Sequence, residues 1–352
     1  MSYFVSPPEP YREGAAENIN GSLLISLHEV MQTEKANYMV QDIIGSGGFS
    51  EVYKVIDVET QQVYAIKIYK HLPDHSQIDR QAEREIMVLT EFNTFNNGTE
   101  LNTIGTMIDW FEYKRHKVIL MNFYPFSLLQ LIQMRGLGFP ISLVQQVARE
   151  ISQAIKLLHR KNYIHGDIKP ENIVIDTNNQ PKLIDFGSTL ISGDPDFFYI
   201  QSRFYRAPEI ILQLGCSQKI DIWSFGCLLA ELYLGWPLFP GTTTLQMLQM
   251  IEFTVGKFPK SIVDQVRQFD TTYFDDNGNI NRYQFPSNLY TLEYLVMNYF
   301  CAENNDEHSI EIDRRRKSIF LDLLRNLLKI DPRQRYTIDQ IIHHPFLHEN
   351  MV

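Results

Sequence analysis

Four polar residues in two short runs define the chemistry this sequence can do. The run "IHGDIKPENIVI" supplies Asp167, Lys169 and Asn172, and "PKLIDFGS", after a turn, supplies Asp185. A carboxylate at Asp167 can accept the proton of an attacking hydroxyl, a role typically worth about 10²–10⁴-fold in rate. Lys169 can neutralise charge on a γ-phosphate. Asn172 and Asp185 are hard oxygen ligands of the kind magnesium (Mg2+) takes while it keeps waters and shares substrate phosphates. The spacing is that of a catalytic loop and a following strand pair, which predicts the four in one cleft rather than as unrelated turn residues.

A second group lies upstream. In "IGSGGFSEVYKV", Gly45 and Gly47 allow backbone amides to approach phosphate oxygens without Cβ obstruction, and Val52 ends a GxGxxGxV pattern whose third glycine is replaced by Ser50. Taken singly, a plain hairpin turn fits this run as well as a nucleotide cover does. Lys67 in "YAIK" is a cation in an apolar strand, and burying it needs a counter-charge. Glu85 in "REIMVL" is the candidate because Ile86 and Leu89 mark that side as core-facing, with Glu83 competing. Such a pair would turn Lys67 toward the α and β phosphates of a nucleotide.

The elements that must position these groups follow from periodicity. From Tyr38, alternating segments "YMVQDIIG", "SEVYKVIDV", "VYAIKIY" and "VILMNF", with a helical stretch around "QAEREIMVL", predict an antiparallel sheet carrying a helix. Residues 1–37 read as an N-terminal extension in which "SLLISLHEV" can add a strand. Beyond a connector at Asn122 to Pro125 the spacing turns helical, and Val144, Val147, Ile151, Ala154, Ile155 and Leu158 fall on one face. The expected class is α+β, with a small β-rich lobe and a larger, mostly helical one.

Bulk properties narrow the alternatives. A formal charge of -10 argues against broad affinity for nucleic acid or anionic membrane. Cys216, Cys227 and Cys301 are too scattered for a disulfide framework or a CxxC zinc site, so a reducing compartment is expected. "MSYFVSPPEPYREG" lacks the apolar core of a signal peptide, and the apolar run Ile220 to Trp236 carries Asp221, Ser224 and Glu231, which predicts a buried helix rather than a membrane span. His165 is expected in the core, His343 and His344 at a helix end, and "DDNGN" at Asp275 in a turn.

The order and spacing of "GSGGFSEVY", "YAIK", "HGDIKPEN", "DFG" and "APE" resemble those of eukaryotic protein kinases over residues 38–347. The resemblance implies a bilobal fold with an N-lobe at 38–121, a hinge at 122–125 and a C-lobe at 126–347. An insert is placed at about 241–313 and a tail at 348–352. It implies ATP and Mg2+ as cofactors and protein substrates phosphorylated on serine or threonine. The nucleotide pocket would comprise Ile44, Gly45, Ser46, Gly47, Gly48, Phe49, Ser50, Val52, Ala65, Lys67, Met121, Asn122 and Tyr124. Asp221 would anchor the catalytic loop, and Arg335 would pair with Glu209.

Within the kinases, "YIQSRFYRAPE", "DFGS", "GFPISLVQQVAREI" and "LYLGWPLFPG" resemble the dual-specificity tyrosine-regulated (DYRK) family of the CMGC group. That resemblance implies autophosphorylation of Tyr199, with Arg203 and Arg206 receiving the phosphate. Phe197 stands where these kinases usually have a first tyrosine, and Gly166 where most loop-phosphorylated kinases have arginine. Ser50, "VGKFPKSIVDQ" and "FDDNGN" look more like the pre-mRNA-processing kinases of the same group. A scaffold without turnover and a small-molecule kinase are the rival readings. A monomer in the cytoplasm or nucleus is expected, with no nucleic acid or membrane partner. The basic run Arg314 to Lys317 is either a nuclear signal or a solvated helix start.

Overall fold

Alternation in the first third of the chain becomes a six-stranded antiparallel sheet. The computed structural model describes residues 20–72, 76–95, 103–191, 200–281, 289–299 and 307–349. The chain divides into two compact units, residues 1–125 with 185–187, and residues 126–184 with 188–352.

The first unit holds β1 (Val30–Gln32), β2 (Asn37–Ser46), β3 (Ser50–Asp57), β4 (Val63–Tyr69), β5 (Met107–Tyr113) and β6 (His116–Asn122), with helix α1 (Ser76–Phe95) between β4 and β5. Their order in the sheet is β1-β2-β3-β4-β6-β5. The apolar patch ahead of Tyr38 does add a strand, slightly later than its hydrophobic residues suggest: Val30–Gln32 pairs with β2, Met31 opposite Tyr38. Leu23 and Met31 join Val40, Tyr53, Val55, Ile66, Ile68, Val118 and Leu120 in one buried cluster. Strand β5, "MIDWFEY", lies outside the segments anticipated from the sequence, because Ile108 and Trp110 face outward and invert the usual apolar-in pattern.

Helix α1 buries Ile78, Ala82, Glu85, Val88, Leu89 and Phe92, a stripe of three- and four-residue steps that includes one carboxylate. Glu83 is off that stripe. It meets Lys117 at the surface, at 2.7 Å.

The second unit is mainly helical and is organised by α2 (Leu128–Arg135), α3 (Ile141–Arg160), α4 (Pro208–Ile211) and α5 (Lys219–Leu234). All six residues predicted for the inner face of α3 are buried. Helix α5 is buried on every side, as expected of an apolar stretch that runs through a core. Among the described residues no helix is long and apolar enough to cross a membrane. Short strands β7 (Phe126–Ser127), β9 (Ile173–Ile175) and β10 (Pro181–Leu183) form one ribbon, β8 (Tyr163–Ile164) and β11 (Leu190–Ile191) another. The ribbons hold the two ends of the segment that carries Asp167, Lys169 and Asn172.

The smaller expectations resolve locally. Asp275 accepts the N–H groups of Asn277 and Asn279 and closes a turn. His343 caps a helix end, and His344 caps the start of the next. The basic run Arg314 to Lys317 lies inside the helix Glu307–Leu327, not at its start, and its Lys317 is buried. Cys301 and residues 1–19 lie outside the described residues.

Candidate active site

In the first unit the strand period aims Lys67 and Tyr69, two residues apart on β4, at one face. Lys67 is buried, and its Nζ lies 2.6 Å from Glu85 Oε2 and 2.7 Å from Asp185 Oδ1. Burial alone would lower the lysine pKa, but the Asp185 and Glu85 carboxylates outweigh it and hold the ammonium well above its ordinary range. Tyr69 donates its phenol to Glu85 Oε2, and the Phe186 N–H reaches Glu85 Oε1 at 3.2 Å. Glu85 rather than Glu83 is therefore the counter-charge. Asp185 sits at φ 64°, a left-handed conformation unusual for a residue with a side chain.

The glycine run forms the β2–β3 hairpin, with Gly45 opposite Val52 and the Gly47 N–H bonded to the Ser50 carbonyl at 2.9 Å. None of Gly45, Gly47 and Gly48 has a positive φ. A Cβ would meet nothing within 4 Å at Gly48, and nothing nearer than 3.7 Å at Gly47. Neither backbone conformation nor the protein's own packing demands glycine at these positions. What their bare backbone provides is open space beside amide groups, which fits an incoming phosphate. Ile44 and Phe49 are exposed on the same hairpin, and Ser46 pairs with Glu51.

Ala65 is buried and pairs with the half-buried Met121 on β6. Asn122 gives its backbone N–H to the Thr106 carbonyl at 3.2 Å. Tyr124 accepts the Thr106 N–H at its phenol oxygen.

In the second unit Asp167, Lys169, Asn172 and Ser202 form one cluster. Asp167 Oδ1 accepts the Ser202 N–H at 2.9 Å, and Oδ2 lies 2.7 Å from Lys169 Nζ, which also donates to Ser202 Oγ at 2.9 Å. Asn172 turns its amide nitrogen onto Asp167, 2.9 Å from the backbone oxygen and 3.3 Å from Oδ2. That orientation leaves the amide oxygen as a hard acceptor. The loop rests on Asp221, fully buried in α5, whose two oxygens accept the His165 N–H at 2.8 Å and the Gly166 N–H at 3.0 Å and meet His159 Nε2 at 2.9 Å. His165 is buried as expected, its Nε2 3.2 Å from the Ile184 carbonyl. Gly166 has φ 76°, and a Cβ there would stand 2.8 Å from the Ser188 carbonyl, so the backbone itself demands glycine.

The protein kinase domain model matches residues 38–347. This chain belongs to the protein kinase family. It is 31% identical to serine/threonine-protein kinase ppk15 of Schizosaccharomyces pombe, over 97% of this chain and 68% of that protein. It is also 31% identical to the mouse dual specificity tyrosine-phosphorylation-regulated kinase 3, over 98% of this chain and 60% of that one. A third relative, the probable serine/threonine-protein kinase yakA of Dictyostelium discoideum, is 31% identical over 97% of this chain but only 26% of its own length. The chain thus spans from about a quarter to about two thirds of these relatives. They put the kinase in the DYRK family of the CMGC group, as "YIQSRFYRAPE" led one to expect, and such a domain takes ATP and a divalent metal.

Tyr199 and Phe197 of the kinase lie outside the described residues. Of the two arginines meant for a phosphate, Arg203 donates to the Thr242 carbonyl, and Arg206 donates to the Ile200 carbonyl at 3.1 Å and to that of Gln201 at 2.8 Å. Sequence reasoning missed Gln201. Its N–H bonds to the Gly166 carbonyl at 2.9 Å, and its buried side chain bonds to Ser224 Oγ at 2.7 Å and the Ala207 N–H at 3.0 Å. It also missed Tyr205, whose phenol donates to Glu231 Oε2 at 2.7 Å, where burial pushes the Glu231 pKa up to about 7. An acidic residue inside the apolar α5 stretch was the available signal.

Proposed function

We infer that this kinase transfers the γ-phosphate of ATP, taken with Mg2+, to serine and threonine of protein substrates, and that it phosphorylates its own Tyr199. The observation that carries this reading is Lys67, buried between Glu85 and Asp185. Buried ion pairs seldom stabilise a fold better than apolar side chains of equal volume, so a buried lysine on two acids argues for a task beyond stability. Lys67 orients the nucleotide phosphates, and the glycine hairpin covers them with backbone amides. Asn172 and Asp185 are the oxygen donors that would hold magnesium, which neutralises charge on the phosphates when bound. Asp167, its carboxylate fixed by Ser202 and Lys169, accepts the proton of the substrate hydroxyl.

The accepting tyrosine and its arginines belong to the same reading. Arg203 and Arg206, at the end of the segment that carries Tyr199, would turn donors now held by the Thr242, Ile200 and Gln201 carbonyls toward a phosphate of about -1.5 to -2 charge. A cytoplasmic or nuclear setting, and a monomer, are consistent with Cys216 and Cys227 forming no disulfide among the described residues and with the charge of -10.

The test compares wild type with Asp167→Asn, both expressed in bacteria, using a generic basic protein as phosphate acceptor. Transfer falls by about 10²-fold or more in the variant while ATP binding persists. Peptide mapping finds phosphate on Tyr199 of the wild type alone. Equal transfer by both proteins removes Asp167 from the mechanism, and ATP binding without transfer by the wild type makes the chain a scaffold.

A further inference from the structure

Glu85 has more partners than an ordinary strand-to-helix ion pair requires. Lys67 Nζ and the Tyr69 phenol both reach Oε2, while the Phe186 N–H takes Oε1 at 3.2 Å. Glu85 and Tyr69 are 1% and 2% exposed, so no water competes for these bonds. We propose that Tyr69 is a positioning residue: its phenol fixes Glu85, and through Glu85 it sets Lys67 in place for the nucleotide phosphates before any nucleotide arrives. This inference rests on the function proposed above.

The backbone of Tyr69 is itself held. Its carbonyl is 2.7 Å from His116 Nδ1, and it stands opposite Ser50, the residue that closes the glycine hairpin. A Cβ on Gly187 would lie 3.3 Å from the phenol oxygen, so Tyr69 also packs against the turn that follows Asp185. The hydroxyl is what sets this residue apart from a filler, since phenylalanine would occupy nearly the same volume. Burial and the adjoining Glu85 charge hold the phenol in its protonated, donating form.

The consequence for Lys67 is a matter of counting. An ammonium has three donors. One goes to Glu85 and one to Asp185, which leaves one for a phosphate oxygen. With Tyr69 sharing Oε2, Glu85 is oriented without claiming that third donor. Without the phenol, Glu85 is free to turn and Lys67 follows it.

Tyr69→Phe in the full chain tests this, beside a protein carrying p-aminophenylalanine at position 69, which restores a donor. The expected result for Tyr69→Phe is a KM for ATP raised about three- to tenfold, the loss due to one hydrogen bond, with kcat little changed. Hydrogen exchange on the nucleotide-free protein should quicken at the Phe186 amide and along α1, and p-aminophenylalanine should reverse both effects. Unchanged KM and unchanged exchange in Tyr69→Phe overturn the proposal. So does a fall in kcat at constant KM with α1 exchange unaltered, which marks a packing role only. Should the wild type transfer no phosphate while Tyr69→Phe still loosens α1, the kinase reading fails and the link from Tyr69 to Glu85 stands.

Discussion

Arg335 grips Glu209 with two parallel bonds, Nη1 to Oε1 at 2.6 Å and Nη2 to Oε2 at 2.9 Å, both residues almost wholly buried. The three remaining guanidinium donors are used too, on the carbonyls of Lys219, Lys329 and Ile330 at 2.7, 2.9 and 3.3 Å, and the group lies 5.2 Å from the Trp223 ring. Glu209 is the second residue of α4, which follows the "RFYRA" segment directly, so the fork ties that segment to the helical core. Removing one partner strands the other charge in a dry site. Arg335→Met or Glu209→Gln should therefore cost about 3–5 kcal/mol, and the double variant less than the sum of the two. Urea unfolding of the four proteins reads this directly, and additive losses would show that the pair is not coupled.

Glu231 gives the fold a pH dependence of calculable sign. Its folded pKa of about 7 is above the ordinary 4.5 because burial disfavours the charged form, only partly offset by the Tyr205 phenol. Between those values the folded protein binds more protons at this site than the unfolded chain does. The contribution is therefore complete below about pH 4.5, shrinks as pH rises, and is gone above about pH 7. Its full size is at most about 3 kcal/mol. Glu231→Gln keeps an acceptor for Tyr205 and removes the titration, so its stability should change less from pH 5 to pH 8 than that of wild type. Denaturant titrations across that range would show parallel profiles if the assignment is wrong.

Two neighbouring carboxylates on α1 should behave in opposite ways. Glu83 meets Lys117 at an exposed position, so Glu83→Ala should change stability by less than about 1 kcal/mol and leave phosphate transfer intact. Glu85→Ala strips Lys67 and Tyr69 of their common acceptor. Transfer should then fall by about tenfold or more, the value of a charge-assisted bond at a buried site. Steady-state rates for the two variants decide the matter, and equal losses would mean that the helix as a whole matters rather than its buried stripe.

How much of this was readable in advance depends on the range of the interaction. Glu85 was legible because a helix buries every third or fourth residue, and its apolar neighbours already marked the side. The Asp167 to Asn172 run was legible because the chemistry sits within six residues of chain. Tyr69, Gln201 and Ser202 were not, since their partners Glu85, Ser224 and Asp167 lie 16, 23 and 35 residues away, and nothing local distinguishes a bonded hydroxyl or amide from a solvated one. Strand β5 escaped for a different reason. Its outward Ile108 and Trp110 defeat a rule that reads apolar residues as buried.

Strand β1 has a practical consequence. The family match begins at residue 38, yet Met31 is wholly buried, Leu23 nearly so, and Val30–Gln32 covers the outer side of β2. A protein trimmed to the matched span would bare the hydrogen-bonding edge of β2 and open a hole where Met31 and Leu23 had been. A long strand with an uncovered edge beside exposed apolar surface is a template on which other chains can assemble. Residues 20–37 thus shield that edge and complete that cluster, and self-association rather than lost catalysis is the expected first symptom of their removal.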